Sequence, residues 1–187
     1  MDMYIYDGVR GDDFTVNKWT KFLAAGVLCL TAISNIALAA IPTEEMNLGG
    51  LALRKRVNGS DVRAMYGEPT KQSYGFMQYG DSVFIGFDEG MVTSVDVTAN
   101  NGWETLSGMH VGMKGEDAIS VYGTPDSIRT ADDKTLYIFL NDELSRRCAM
   151  GILLDKEKMI QKISIKTSLM ADFKDWYGNW INRMLQK

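Results

Sequence analysis

Apolar positions along the chain change period several times, and each change marks an element. Just after Asn58, Val62, Met65 and Tyr66 fall three and four residues apart, so they share one face of a short helix. Asn58 or Ser60 can cap it, and Asp61 sits in the first turn, where the helix dipole favours a negative charge. Gly67 is expected to end it in the left-handed conformation, and Pro69 forces extended backbone at Glu68. The period then drops to two. Residues 72–79 predict an aromatic-rich strand, Gly80-Asp81 a turn, residues 82–87 a second strand and Asp88-Glu89-Gly90 a tight hairpin connection. Residues 91–98 complete the run, with Thr93, Val95 and Val97 on one face. Short connections between successive strands predict an antiparallel meander.

The same succession then returns. Asp61, Tyr66, Gly67 and Pro69 fall without a gap on Asp117, Tyr122, Gly123 and Pro125. Self-similarity at a fixed offset indicates a duplicated unit. The second copy predicts a helix over 115–122 and strands over 136–140, 149–154 and 159–167, with Ile163 and Ile165 where the first copy has Val95 and Val97. Residues 132–134 and 141–147 read as longer polar loops. The fold class expected is α+β: two tandem repeats, 40–103 and 104–168, each a short helix followed by a three-stranded antiparallel meander, plus a C-terminal amphipathic helix within 169–187. In that last helix Phe173, Trp176, Tyr177, Trp180, Ile181 and Met184 recur at three and four residues. Gly178 weakens it by about 1 kcal/mol and is expected where another backbone approaches. Two roles stay open for this helix: it lies across the sheet and completes the core, or it docks a partner or a membrane surface. Gly67, Pro69, Gly123 and Pro125 are helix-to-strand hinges whose physics needs no ligand.

Composition adds a compartment. Among the 187 residues 45% are hydrophobic and 24% charged, which is globular composition, and the net charge of -4 leaves no basic stripe for a nucleic-acid backbone. Residues 17–39 read as a secretory signal: Lys18 and Lys21, an apolar stretch, then Ala37-Leu38-Ala39 as a cleavage site after Ala39. The alternative is an uncut segment acting as a membrane anchor. Residues 1–16 carry four acidic residues ahead of the lysines and read as a gene-model artefact or a disordered tail. Leu28 precedes Cys29, which argues against lipidation there. After cleavage Cys148 alone remains; it opens an apolar run and reads as buried filler in a periplasmic or secreted protein without an internal disulfide.

Catalytic patterns are not recognisable. His110 is the single histidine, so a Cys/His metal site is excluded and one candidate remains for any triad; it reads as a loop residue. Asp132-Asp133 and Asp142-Glu143 fall in predicted turns. Asp88-Glu89 and the acids of 155–157 supply too few oxygens for a calcium loop. No catalytic residue, cofactor or metal is therefore expected. Aromatic residues are more suggestive: Tyr74 and Phe76 are assigned to one strand face, and Tyr137 and Phe139 to another. Either these rings form an open protein-binding face, or the terminal helix covers them.

A short helix ending Tyr-Gly-x-Pro, followed by a meander whose last strand begins at Met91-Val92 or Met159-Ile160, resembles the SmpA/OmlA family of bacterial envelope proteins. The tandem form resembles the β-lactamase inhibitory proteins. Residues 58–97 and 114–165 carry the likeness. It implies this α+β fold and an exported, non-enzymatic binding role with an unidentified protein partner, and it carries over no catalytic residue. The lipid site of the one family and the disulfides of the other are missing here. The alternatives are a structural factor in envelope or outer-membrane assembly and an envelope enzyme.

Overall fold

Both hinge helices form where the polar punctuation places them. The structure, a computed structural model, describes residues 41–141, 148–167 and 173–186. Helix α1 spans Gly59–Tyr66 and α2 spans Gly115–Tyr122. At α1, Asn58 Oδ1 accepts from Asp61 N at 2.9 Å while Asp61 Oδ2 accepts from Asn58 N at 3.1 Å, a reciprocal capping box. At α2, Asp117 Oδ2 accepts from Lys114 N at 3.1 Å. Lysine has no acceptor to return the bond. The aspartate shared by the two helices is thus a cap.

The helix ends differ from expectation in one respect. Gly67 has φ 82° and ψ −167°, and Gly123 has φ 78° and ψ −159°. Positive φ is right, but ψ is extended rather than left-handed helical. The chain leaves each helix at once as extended backbone, a conformation essentially restricted to glycine.

Strands β3 Lys71–Ser73, β4 Phe76–Tyr79, β5 Val83–Asp88 and β6 Met91–Val97 follow α1. Strands β7 Ser127–Ala131, β8 Lys134–Asn141, β9 Cys148–Leu154 and β10 Ile160–Thr167 follow α2. Each helix is therefore followed by four strands, not three. Within 72–79 the chain turns at Tyr74-Gly75, where Gly75 has φ 71° and Phe87 N donates to Gly75 O at 2.8 Å. The acidic pair Asp132-Asp133, expected in a polar loop, is the tip of the β7–β8 hairpin.

All eight strands belong to one antiparallel sheet in the order β3-β4-β5-β6-β10-β9-β8-β7. The junction is β6–β10, with Val97 opposite Ile163, Asp96 opposite Ser164 and Val95 opposite Ile165. One face carries Val83, Ile85, Val95, Val97, Met150, Ile152, Ile163 and Ile165, all buried with Val62 of α1 and with Ala118 and Tyr122 of α2 in one core. Burying this many β-branched side chains is the main source of stability.

Residues 41–53, to which the sequence assigned no element, close that core. A 3-10 turn, Thr43–Glu45, leads into the small hairpin β1 Asn47–Leu48 and β2 Leu51–Ala52. Ile41, Met46, Leu48 and Leu51 are buried. Both hinge tyrosines hold this segment. The Tyr66 hydroxyl donates to Gly49 O at 2.6 Å, and the Tyr122 hydroxyl donates to Glu45 Oε2 at 3.1 Å.

Helix α3, Phe173–Leu185, lies on the opposite face of the sheet. Trp180 and Met184 are buried with Leu136, Ile138, Ala149 and Leu153, so its inner face is applied to β8 and β9. A Cβ on Gly178 would meet nothing within 4 Å. Among the described residues no backbone approaches there, contrary to expectation, and the position is exposed. The signal segment 17–39, its cleavage site, Cys29, residues 1–16 and Asp142-Glu143 lie outside the described residues. No described helix is long and apolar enough to cross a membrane.

Candidate functional site

Strand registers define what the second face of the sheet presents. One row crosses it as Gln78, Phe84, Asp96, Ser164, Gly151 and Ile138. The adjacent row runs Phe76, Gly86, Ser94, Lys166, Ala149 and Leu140. Helix α3 occupies the β8–β9 end of both rows. Gly151 admits it: a Cβ there would lie 2.8 Å from the Trp180 ring. Trp180 Nε1 then donates to Ser164 Oγ at 3.0 Å, which fixes the helix at the sheet's midline.

Beyond that midline the β4–β6 end is only partly buried. Phe76 and Phe84 stack there with ring centroids 6.4 Å apart and an interplanar angle of 29°. Between this pair and α3 lies a charged strip. Lys162 Nζ sits 3.0 Å from Asp96 Oδ1, with both side chains 24% exposed. Burial pushes the Lys166 ammonium below its usual range; Arg183 and Lys162 press the same way, and Asp96 opposes them. By register with Gln78, Lys71 of β3 stands on this face as well.

The four aromatic residues singled out from the sequence do not form one surface. Tyr74 stands fully exposed at the β3–β4 turn. Phe76 is on the second face. Tyr137 and Phe139 alternate with Leu136 and Ile138, so they point to the face that packs against α1 and α2. Phe139 is buried edge-on against Tyr122 at 5.5 Å. Tyr137 lines a cleft of about 340 Å³ with Lys114, Gly115, Ile119 and Met159. The turn at Tyr74-Gly75 broke the first assignment; Tyr137 and Phe139 do share one strand face, but that face packs into the core instead of lying open. Helix α3 covers neither Tyr137 nor Phe139, whose side chains face away from it.

The chain matches no protein-family model. It is similar to a DUF4309 family protein, YjgB, from Bacillus subtilis, whose crystal structure aligns with a TM-score of 0.44 and 16% identity over 64% of this chain and 83% of that one.

Elsewhere, Glu45 and Tyr122 join distant segments of the fold. Glu45 accepts from Ser107 Oγ at 2.6 Å and from Tyr122, whose hydroxyl also shares a 2.6 Å bond with Thr105 Oγ1. Burial raises the Tyr122 pKa far above the usual tyrosine range; the Thr105 bond lowers it and Glu45 raises it further. Cys148 is buried, and burial pushes its thiol pKa up, away from the reactive thiolate. His110 Nδ1 lies 3.0 Å from Val111 O in the segment before α2. Among the described residues no three His, Cys, Asp or Glu side chains gather as a metal site. At the hinges, Gly67 and Gly123 take positive φ with open space where a Cβ would stand, and Pro125 is buried.

Sequence reasoning missed Phe84, Asp96, Lys162 and Lys166. Period-two alternation already set Phe84 opposite Val83, Ile85 and Phe87. The partners across β6–β10 carry no local signal.

Proposed function

We propose that the chain is an exported, non-catalytic protein-binding module, delivered by a signal cleaved after Ala39 to the periplasm or the secreted fraction. Its gripping surface is the β4–β6 end of the second sheet face. The observation that carries this reading is the Phe76–Phe84 stack, only partly buried beside a charged strip, on a sheet whose other half is already covered by α3. Rigid aromatic anchors on strands supply contact area at low entropic cost.

We also infer that the two halves arose by duplication of a helix-and-meander unit, an SmpA/OmlA-like tandem with one strand more per unit than the sequence led us to expect. The registers support this. Val95 lies opposite Ile85, and Ile163 lies opposite Ile152, so both inner hairpins meet the junction alike. Asp96 and Ser164 pair at its centre, flanked by Phe84 on one side and Gly151 on the other. In one unit a phenylalanine fills the space over the strand; in the other a glycine leaves it to Trp180.

Immobilised protein exposed to envelope extracts is expected to retain a partner in stoichiometric amount, and Phe84→Ala is expected to release it. Retention unchanged by Phe84→Ala and by Phe76→Ala would remove this face from consideration. Turnover by the purified protein, abolished by one substitution, would replace the proposal with an enzyme.

A further inference from the structure

We propose that the partner presents an acidic amphipathic helix, laid across the β4–β6 end of the second face beside α3. This rests on the protein-binding reading above and names the occupant of that same surface.

Three features select it. An apolar sheet face is buried under helices or another sheet, and this sheet already shows how it takes a helix: Trp180 and Met184 pack on the flat spot at Gly151. The Phe76–Phe84 stack offers the matching apolar seat on the other side of the midline. The charges there are unbalanced. Lys162, Lys166 and Lys71 stand on this face, and Arg183 of α3 is near enough to act on Lys166, against Asp96 and, by alternation with Phe87, Asp88. Lys166 is the informative member. It is partly buried at the midline, and among the described residues no carboxylate forms a salt bridge to it. A helix with an apolar stripe over the two phenylalanines and an acidic flank over Lys166 supplies the missing charge.

The test uses a displayed library of 18-residue amphipathic helices with a randomised apolar stripe and Glu, Gln or Lys at flanking positions, panned on the full-length protein. Selected helices are expected to be enriched in Glu at the flanks and to bind at least tenfold more tightly than their Glu→Lys counterparts. Phe84→Ala and, separately, Lys166→Gln should each weaken binding about tenfold or more. Urea unfolding of both variants separates a lost contact from a lost fold. Enrichment of Lys or Gln at the flanks, or helices that bind Phe84→Ala as well as the parent, overturns the proposal. An empty selection alongside an envelope partner still released by Phe84→Ala overturns the acidic helix and leaves the protein-binding reading standing. Binding to phosphatidylglycerol vesicles that is lost in Lys166→Gln, with no helix selected, reassigns the strip to a membrane surface.

Discussion

Replacing Gly123 with alanine isolates a pure backbone cost. Gly123 closes α2 at φ 78°, ψ −159°, and Gly67 closes α1 at φ 82°, ψ −167°. A left-handed helical residue would have ψ near about +47°. A Cβ at either position meets nothing within 4 Å, so no clash enters. Holding an L-residue in this region costs about 1–3 kcal/mol. Alanine also restricts the unfolded chain, which returns about 0.4–1 kcal/mol. Strain therefore wins, and Gly123→Ala should lose about 0.5–2.5 kcal/mol. In a chain of this size that lowers Tm by roughly 1–10 °C. Asparagine is the discriminating substitution. It is tolerated in the left-handed region but gains nothing when ψ is extended. Gly123→Asn should thus fall about as far as Gly123→Ala. Gly67→Ala should add to Gly123→Ala, because the two caps share no partner: Gly67 N bonds to Arg63 O and Gly123 N to Ile119 O. Urea unfolding followed by circular dichroism measures all of these. If Gly123→Asn matches the parent while Gly123→Ala does not, the helix ends in the left-handed cap first expected and the argument fails.

Three further outcomes follow from the packing. Gly178→Ala should raise stability by about 0.5–1 kcal/mol, since the position is a helix interior with open space around it; a loss in the same urea assay would mean that something does approach there. Trp180→Ala should cost about 3–5 kcal/mol and expose α3 to limited proteolysis, because the ring is buried over Gly151. Trp180→Phe should recover part of that and leave Ser164 without its donor. The third outcome concerns alkaline pH. Burial holds the folded Tyr122 pKa above the ordinary tyrosine value of 10.0, so its contribution is complete below pH 10 and is lost as pH rises. Above that point the unfolded chain has released a proton that the folded chain keeps, and stability should fall by about 1.4 kcal/mol per pH unit from this group. Tyr122→Phe should flatten that slope in unfolding measured between pH 9 and 11.

How far the fold could be read depends on where each signal resides. The helices were legible because their caps are local: Asp61 and Asp117 bond three residues back, and Gly67 and Gly123 mark the exits. Strands β5, β6, β8, β9 and β10 were legible because at least one face of each is buried and the side chains record it. Strands β3 and β7 escaped for the opposite reason. They are the two edges of the sheet, Lys71–Ser73 is exposed throughout, and Ile128 is exposed where a core strand would bury it. An edge strand has little apolar contact to impose a period. Residues 41–53 escaped because their burial is decided by distant groups, Tyr66, Tyr122 and Asn141, whose bonds to them span many residues.

The candidate site was legible only in part, and the reason lies in the β6–β10 pairing. Period two assigns Phe84 to the face opposite Val83 and Ile85, but it does not say whether that face is wet. Strand β9 is buried at every position, so it reads as a continuous apolar run; β5 alternates. The difference between them comes down to one pair of positions flanking the junction. At Gly151 the absent side chain opens the floor on which Trp180 lands, and a Cβ would already intrude on the indole. At Phe84 the ring occupies the corresponding floor and is itself only partly buried. A helix can therefore settle flush on one half of the sheet, whereas on the other it must ride over a phenylalanine pair. The first arrangement suits a helix that never leaves. The second suits one that comes from another chain, and substituting Gly151 with Phe should test the logic from the other side: α3 should lose its seat over β9 while the β4–β6 face stays as it is.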